Sequence, residues 1–480
     1  ERFPEGLTFA TRPHFTSFLF AWGFMAPGTL LFDQVLLCAH IEFWVFLITT
    51  VFGIPALVRR LVPGVSPRLV WVTRFLFPGT LLYDSSLAVG ADHIGAAFCV
   101  PVFIMALEVL RRAEPRRATL LGYVMAGAAL VKYTIAMFFY PAILAIVGFG
   151  VFRALKDKLT RRDALLGVAA LVIAGLISSA PHWLKNWVWY GNPVYPLVPH
   201  LFNNDPWTAD ATYAFKYAYQ EFQFWRPERS IAGFFETLKN LFTFSFVPHD
   251  YPNYHGKTPV IGSLFTLALL TLPFLRISRS GGRKRFPWTL LVLFVVTHSA
   301  IFIWYWIHHQ DRYLQGVMPW MAACTAAVIV LIWRHGGLIA RIPLVVLLVL
   351  QVIWGGDVYF LPAHAHIRKT PLEKVIKLLG AGHKKKYEKR FKMEPHWTKV
   401  GSMIPEDGKL LLHDNHISLG LKRAKLSDWQ TWQYGLSYGL LDSPKGIYEK
   451  LRELGVTHLH WIREKSRAYD SLAGDLLFFD

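Results

Sequence analysis

The sequence predicts a mainly α protein, a polytopic transmembrane helical bundle of about ten spans followed by a small C-terminal α/β domain. Three observations carry that reading. Of 480 residues, 53% are hydrophobic and only 17% charged, whereas an ordinary soluble domain carries about 25% charge. Apolar runs near the roughly 20 residues that a helix needs to cross a bilayer recur as far as residue 358. Beyond that point the composition changes, and the last 122 residues hold 21 Lys or Arg against 14 Asp or Glu. This pattern excludes a soluble globular enzyme, a disordered tail and a collagen-like rod.

Ten runs qualify as spans: Val35 to Leu57, Leu69 to Tyr83, His93 to Leu110, Thr119 to Val131, Thr134 to Phe152, Ala164 to His182, Pro259 to Leu275, Trp288 to Trp306, Gly316 to Trp333 and Leu338 to Val358. Only Lys132 and Tyr133 separate the fourth from the fifth, so that pair reads as two short spans or as one bent element. The charges sort between alternate loops. Five loops (Val58 to Arg68, Arg111 to Ala118, Arg153 to Asp163, Arg276 to Pro287 and Arg334 to Arg341) hold 19 Lys and Arg, and the opposite short loops (Asp84 to Asp92, the Lys132 turn and Ile307 to Gln315) hold two. The positive-inside rule makes the first set cytoplasmic.

An outer-face segment over 1–34 follows from that orientation, then a transmembrane part over 35–358 that includes an outer loop, 183–258, then an extracytoplasmic α/β domain over 359–480. An outer start calls for a span upstream of Glu1. Phe15 to Phe32 is apolar but interrupted by Pro27 and Gly28, which suits a helix lying in the outer interface. The 183–258 loop balances six basic with six acidic residues and is rich in aromatic residues, Pro and Asn, the composition of a structured, partly interfacial cap. In the C-terminal part, TPLEKVIKLLG and HKKKYEKRFK read as basic and helical, KLLLHDN as a strand, and SPKGIYEKLRELGVTHLHWI as a helix followed by a strand. The basic run Lys384 to Lys386 with Lys389, Arg390 and Lys392 reads as a solvated face or as a contact for phosphate or anionic lipid. No nucleic-acid partner is expected, because no recognised binding module accompanies the charge. Cys38, Cys99 and Cys324 all fall in apolar runs and read as small buried residues.

Ionisable groups at membrane boundaries mark sites that chemistry can use. In LLYDSSLAVGADHIGAAF, Asp84 and Asp92 bracket one short outer loop, with His93 beside the second. A carboxylate there can activate an acceptor hydroxyl or hold a divalent cation, and Asp92 is equally well placed as the N-cap of the next helix. Lys132 and, in WIHHQDRYLQGVMPW, His308 and Arg312 lie on the same face. A Lys and an Arg converging at an interface suit a lipid phosphate, although each alone also fits snorkelling. His308 and His309 are adjacent and so point about 100° apart on a helix, which argues against a chelating zinc pair. The third cluster is HWLKNWVWYGNPVYP, where Asn192 and the prolines fix a turn and Tyr195 and its aromatic neighbours can pack on sugar rings. Glu42 and Arg74 form a candidate ion pair within the spans.

These features resemble a family. KNWVWYGNPVYP after a span, LLYD before the outer Asp92, RYLQGVMPW late in the chain, the opening FPEGLTFATRPHFTSFLFAWG and an outer C-terminal domain look like bacterial membrane glycosyltransferases of the GT-C fold, relatives of protein O-mannosyltransferases and aminoarabinose lipid A transferases. The likeness covers about residues 1 to 335. It implies transfer of a sugar, with inversion, from a polyprenyl phosphate donor to a lipid, glycan or protein acceptor, at the outer face of a bacterial inner membrane and among membrane lipids. The family's principal catalytic Asp lies in the first outer loop, upstream of this sequence, so the resemblance gives Asp92 a supporting role, joined by Asp84 and His93. Lys132, Arg312, His308, Asn192 and Tyr195 are the candidate substrate contacts. No cofactor is called for beyond a possible divalent cation. The competing reading is a transporter or flippase of lipid-linked sugars, which should show paired halves and polar residues at the midplane of several helices. This sequence puts its polar residues at one face.

Overall fold

The structure, a computed structural model, describes residues 13–25, 37–66, 91–195, 226–244, 264–278, 284–309, 311–353, 393–413, 418–428 and 441–461, less 39, 42, 43, 46, 47, 419 and 442, together with 68, 198, 201 and 202. Helices dominate them. α1 (Phe15–Met25) and α2 (Ile54–Leu61) precede a continuous series of α3 (Asp92–Arg111), α4 (Pro115–Val131), α5 (Tyr133–Lys156) and α6 (Arg161–Tyr190). Then come α7 (Ile231–Thr243), α8 (Leu264–Thr271), α9 (Trp288–His308), a 3-10 helix (Asp311–Val317), α10 (Met318–His335) and α11 (Leu338–Ile353). Two short antiparallel strands, β1 (Ile277–Ser278) and β2 (Lys284–Arg285), separate α8 from α9.

Among the described residues, five helices are long and apolar enough to cross a membrane: Ile94–Arg111 within α3, α5, α6, α9 and α10. Their outward faces are apolar as well. On α6, Leu165, Ile173, Leu176 and Ile177 are all exposed, which water would penalise and hydrocarbon does not. The helical part is that of a membrane protein. Five of the ten predicted spans therefore reach spanning length here. Val35 to Leu57 is described in part, ending in a π-helix over Thr49–Gly53 and the start of α2. Thr119 to Val131 falls within the 17-residue α4, Pro259 to Leu275 and Leu338 to Val358 are represented by shorter apolar helices, and Leu69 to Tyr83, with Arg74, lies outside the described residues. Glu42 lies outside them too.

α10 is the central helix, with every side chain from Met318 to Leu331 buried. Near its start the Trp320 indole N–H donates to the Cys99 carbonyl oxygen at 2.7 Å, and its ring packs on Phe103 and Phe139. That bond gives the buried donor a partner where no water can supply one. Cys38, Cys99 and Cys324 are fully buried, unpaired thiols, as their apolar settings predict.

The fourth and fifth runs form two helices rather than one bent element. Lys132 between them is extended (φ −165°, ψ 133°), and the Tyr140 hydroxyl donates back to the Met125 carbonyl oxygen at 2.6 Å. Residues 125 and 140 lie about equally far from Lys132, so that bond closes an antiparallel hairpin with a single residue at its tip. Three of the five loops predicted on one side of the membrane meet at one end of the bundle. Arg60, Arg111 and Arg117, drawn from two of them, converge on the Glu108 carboxylate at 2.8, 3.0 and 2.9 Å. Arg334, from a third, donates to the Gly64 carbonyl oxygen at 2.7 Å.

In the C-terminal part, α12 (Met393–Ser402), β3 (Lys409–Leu412), β4 (Ala424–Ser427), α13 (Pro444–Glu453) and β5 (His458–His460) build a three-stranded parallel sheet in the order β4-β3-β5. The strand predicted in KLLLHDN and the helix and strand predicted after Ser443 are present. β4 was not legible, because its AKLS carries no apolar run. Trp397, Ile404, Leu410 and Leu412 form the small core beside the sheet. At the carboxyl ends of the central and one edge strand, His413 Nδ1 and Asp428 Oδ2 are 2.6 Å apart and buried. The basic run 384–392 lies outside the described residues.

α4 and α6 approach through small residues. A Cβ on Gly122 would lie 2.5 Å from the Leu171 carbonyl oxygen and 3.0 Å from the Ala174 side chain, whereas one on Gly148 meets nothing. Close backbone approach of this kind holds membrane helices together in place of a hydrophobic driving force. Gly122→Val is expected to lower the thermal unfolding midpoint of the purified protein in detergent and Gly148→Val to leave it unchanged; equal midpoints for both would contradict this packing.

Candidate functional site

At the end of the bundle opposite Glu108, Asp92, Lys132 and Tyr313, from the ends of three weakly charged loops, come together. Asp92 is the first residue of α3, and the N-cap is Ala91, with no side-chain capping bond. The N-cap alternative for Asp92 is therefore set aside. Its carboxylate faces across to the hairpin tip, where Lys132 Nζ donates to Asp92 Oδ1 at 2.8 Å. Both side chains are largely enclosed, with 14% of Asp92 and 26% of Lys132 exposed. A carboxylate in the first turn of a helix is favoured by the helix dipole, so Asp92 is held from two sides.

The third loop supplies Tyr313, from the 3-10 helix. The Lys132 ammonium sits 4.1 Å from the centre of the Tyr313 ring, a cation–π contact of about 0.5–2 kcal/mol depending on its desolvation. The His308 ring, at the end of α9, lies 5.2 Å from the same ring. Hence Asp92, Lys132 and His308 are brought together, and Tyr313 joins them. The sequence singled out its neighbour Arg312, whose side chain lies outside the described residues, as does that of His93; Asp84 lies outside altogether. The signal for Tyr313 was its place in RYLQGVMPW, one residue beyond the expected cation.

The residue after Lys132 extends the cluster. The Tyr133 hydroxyl and His182 Nε2 share a hydrogen bond at 2.8 Å, and the Tyr133 ring stacks on Trp183 at 5.8 Å and 6°. His182 and Trp183 belong to α6, which continues as a helix to Tyr190 and ends at Gly191 in the left-handed region (φ 67°). The predicted span ended two turns earlier, because its limit followed hydropathy rather than helix length. α1 packs over the same end: Phe20 shares a buried cluster with Cys38, Ile94 and Val131, one turn or less from Asp92 and Lys132.

Asn192 and Tyr195 follow the Gly191 cap, and both are buried. Asn192 Oδ1 accepts from the Val194 backbone N–H at 2.9 Å, and the Tyr195 ring stacks on Tyr190 at 4.4 Å. These contacts fix the turn, and neither side chain presents an open face to a sugar. His309 diverges from His308, stacking on Tyr305 at 4.5 Å. Among the described residues, no group of three or more His, Cys, Asp or Glu converges as metal ligands. The chain matches no protein-family model and no curated protein.

Chemically, the described residues of the site offer the Asp92 carboxylate, the Lys132 ammonium and an aromatic wall at the edge of the apolar bundle. A double-mutant cycle with Asp92→Asn and Lys132→Met is expected to give a coupling of about 1–2 kcal/mol in unfolding free energy, between the values for exposed and fully buried pairs. Strict additivity would show that the pair does not hold these helix ends together.

Proposed function

We propose that this chain is a membrane glycosyltransferase of the GT-C type, moving a sugar from a polyprenyl phosphate donor to an acceptor at the extracytoplasmic face of a bacterial inner membrane. The observation that supports it most is the Lys132–Asp92 pair against Tyr313. Such a reaction needs a cation to stabilise the departing phosphate and a carboxylate near the acceptor hydroxyl. Here the two neutralise each other. A carrier phosphate drawn to Lys132 competes with Asp92 for the ammonium, and a carboxylate so released can orient the acceptor or take part of its proton. Asp92 thus keeps the supporting role that the resemblance gives it. Arg312 belongs to the same proposal as a second phosphate contact, as do the full set of ten spans and an outward-facing C-terminal domain built on the β4-β3-β5 sheet.

The sorting of loops supports an enzyme working at one face over the transporter reading. Glu108 and its arginines hold one end of the bundle, and Asp92, Lys132 and His308 lie at the other.

In membranes supplied with a labelled polyprenyl phosphate sugar and the protein at full length, Lys132→Met and Asp92→Asn should each slow sugar transfer about a hundredfold without lowering protein levels. Lys132→Arg should restore part of the loss. Normal turnover in both variants would remove the site assignment. Orientation is tested separately in intact cells: Ser402→Cys should react with an impermeant thiol reagent and Lys158→Cys should be protected, and the reverse would invert the topology. The three native thiols are buried and give little background.

A further inference from the structure

We propose that a recess between α7 and α9 is a binding site for an anionic phospholipid, with its phosphate at Arg229 and an acyl chain in the groove below. It rests on the membrane character of the bundle and not on the transferase reading.

α7 is built inside out for a water-soluble setting. Ile231, Phe235 and Phe242 are 79%, 62% and 59% exposed, while Thr237 and Asn240 turn inward, fully buried or nearly so. Those inward polar groups are satisfied within the helix: the Thr237 hydroxyl donates to the Gly233 carbonyl oxygen at 2.8 Å and the Asn240 amide to that of Glu236 at 2.9 Å. A helix that shows its phenyl rings outward has hydrocarbon around it.

Between this helix and α9 lies a cavity of about 550 Å³ lined by Phe242, Leu269, Phe294, Val295, Ser299 and Phe302, among others. Phe242 and Val295 are both more than half exposed, so the cavity opens sideways. Its walls are hydrocarbon and aromatic carbon, apart from Ser299, whose hydroxyl donates to the Val295 carbonyl oxygen, and His298, whose Nδ1 bonds the Phe294 carbonyl oxygen. A lipid tail is the occupant that such a lateral opening at bilayer depth admits.

The head end is defined by charge. Phe302 stacks on Trp306, and the Arg229 guanidinium lies 4.5 Å from the Trp306 ring centre. The nearby carboxylates are turned elsewhere: the Ser230 hydroxyl donates to Glu228 at 3.2 Å, and the Tyr305 hydroxyl donates to Glu236 at 2.6 Å. Arg229 is exposed and has no ion pair among the described residues. A planar, weakly hydrated cation resting on an interfacial indole suits a phosphate diester through paired hydrogen bonds. The site is separate from the Lys132 cluster, because His308 lies two residues beyond Trp306, on the far side of α9 by helical geometry.

The test uses the full-length protein in detergent, with bound lipid counted by native mass spectrometry across titrations of phosphatidylglycerol, phosphatidylcholine and a polyprenyl phosphate. One phosphatidylglycerol should bind more tightly than either alternative. Arg229→Ala should weaken it about tenfold, Ser299→Trp should fill the groove and remove it, and Lys239→Ala should leave it unchanged. Arg229 is a surface residue, so its variant keeps the test decisive if the Trp variant does not fold. Equal binding of phosphatidylglycerol and phosphatidylcholine, wild-type affinity in Arg229→Ala, or displacement by equimolar polyprenyl phosphate would each overturn the proposal.

Discussion

A hydrocarbon slab solvates neither a peptide group nor a charge, and most of this structure follows from that constraint. Backbone groups must be satisfied along each helix, so the membrane part is helical. Charges must leave the slab or find one another, so they collect at two ends. At one end three arginines share the Glu108 carboxylate, and at the other Lys132 meets Asp92. Polar side chains left between those ends bond back to their own helices, as Thr237, Asn240 and Thr297 do. Helices with so little polar surface cannot be held together by excluding water. Their contacts instead depend on shape, which is why Gly122 and Gly150 sit where neighbouring backbone leaves no room for a Cβ.

The two ends differ in chemical character. The Glu108 end is a surplus of cations gathered by two carboxylates, with Arg112 and Arg117 also reaching Glu114 at 3.7 and 3.2 Å. At the Asp92 end the described residues pair Asp92 with Lys132 and add aromatic rings: Tyr313 beneath the ammonium, and Tyr133 and His182 linked through the next residue of the chain. An anion arriving at Lys132 competes directly with its carboxylate partner, and the displaced Asp92 carboxylate is then compensated by taking a proton or an acceptor hydroxyl's hydrogen bond. This difference makes the Asp92 end the place where binding and reaction are sought.

Much of this organisation was legible in the sequence, for reasons that also explain what was not. Loop charge is a property of composition, and three of the basic loops that it grouped together do meet. Lys132 stood out because a lysine between two apolar runs has few uses. The sequence did not decide between a bend and a hairpin there, since neither Gly nor Pro marks the break; the tertiary contacts of Lys132 with Asp92 and Tyr313 and of Tyr140 with Met125 do so. Asp92 was ambiguous because a helix cap and an ion pair call for the same residue at the same place. Asn192 and Tyr195 drew attention as a polar and an aromatic residue in a turn, and the structure uses both inside that turn. α7 was the hardest to read: its pattern is amphipathic in either solvent, and only the surroundings decide which face turns inward.

The one-residue tip at Lys132 bears on how the protein is made. With no slack between α4 and α5, neither arm can enter the bilayer and settle while the other waits, so the two are expected to partition from the translocon as one unit. In the proposed orientation the leading point of that unit is an ammonium group, whose passage through the bilayer centre costs about 2.5–3.5 kcal/mol on insertion scales. The apolar arms on either side offset that cost, and Asp92 on the preceding α3 waits at the far interface to receive the lysine. The same pair that frames the candidate site therefore also serves as a latch that keeps the inserted hairpin from slipping back.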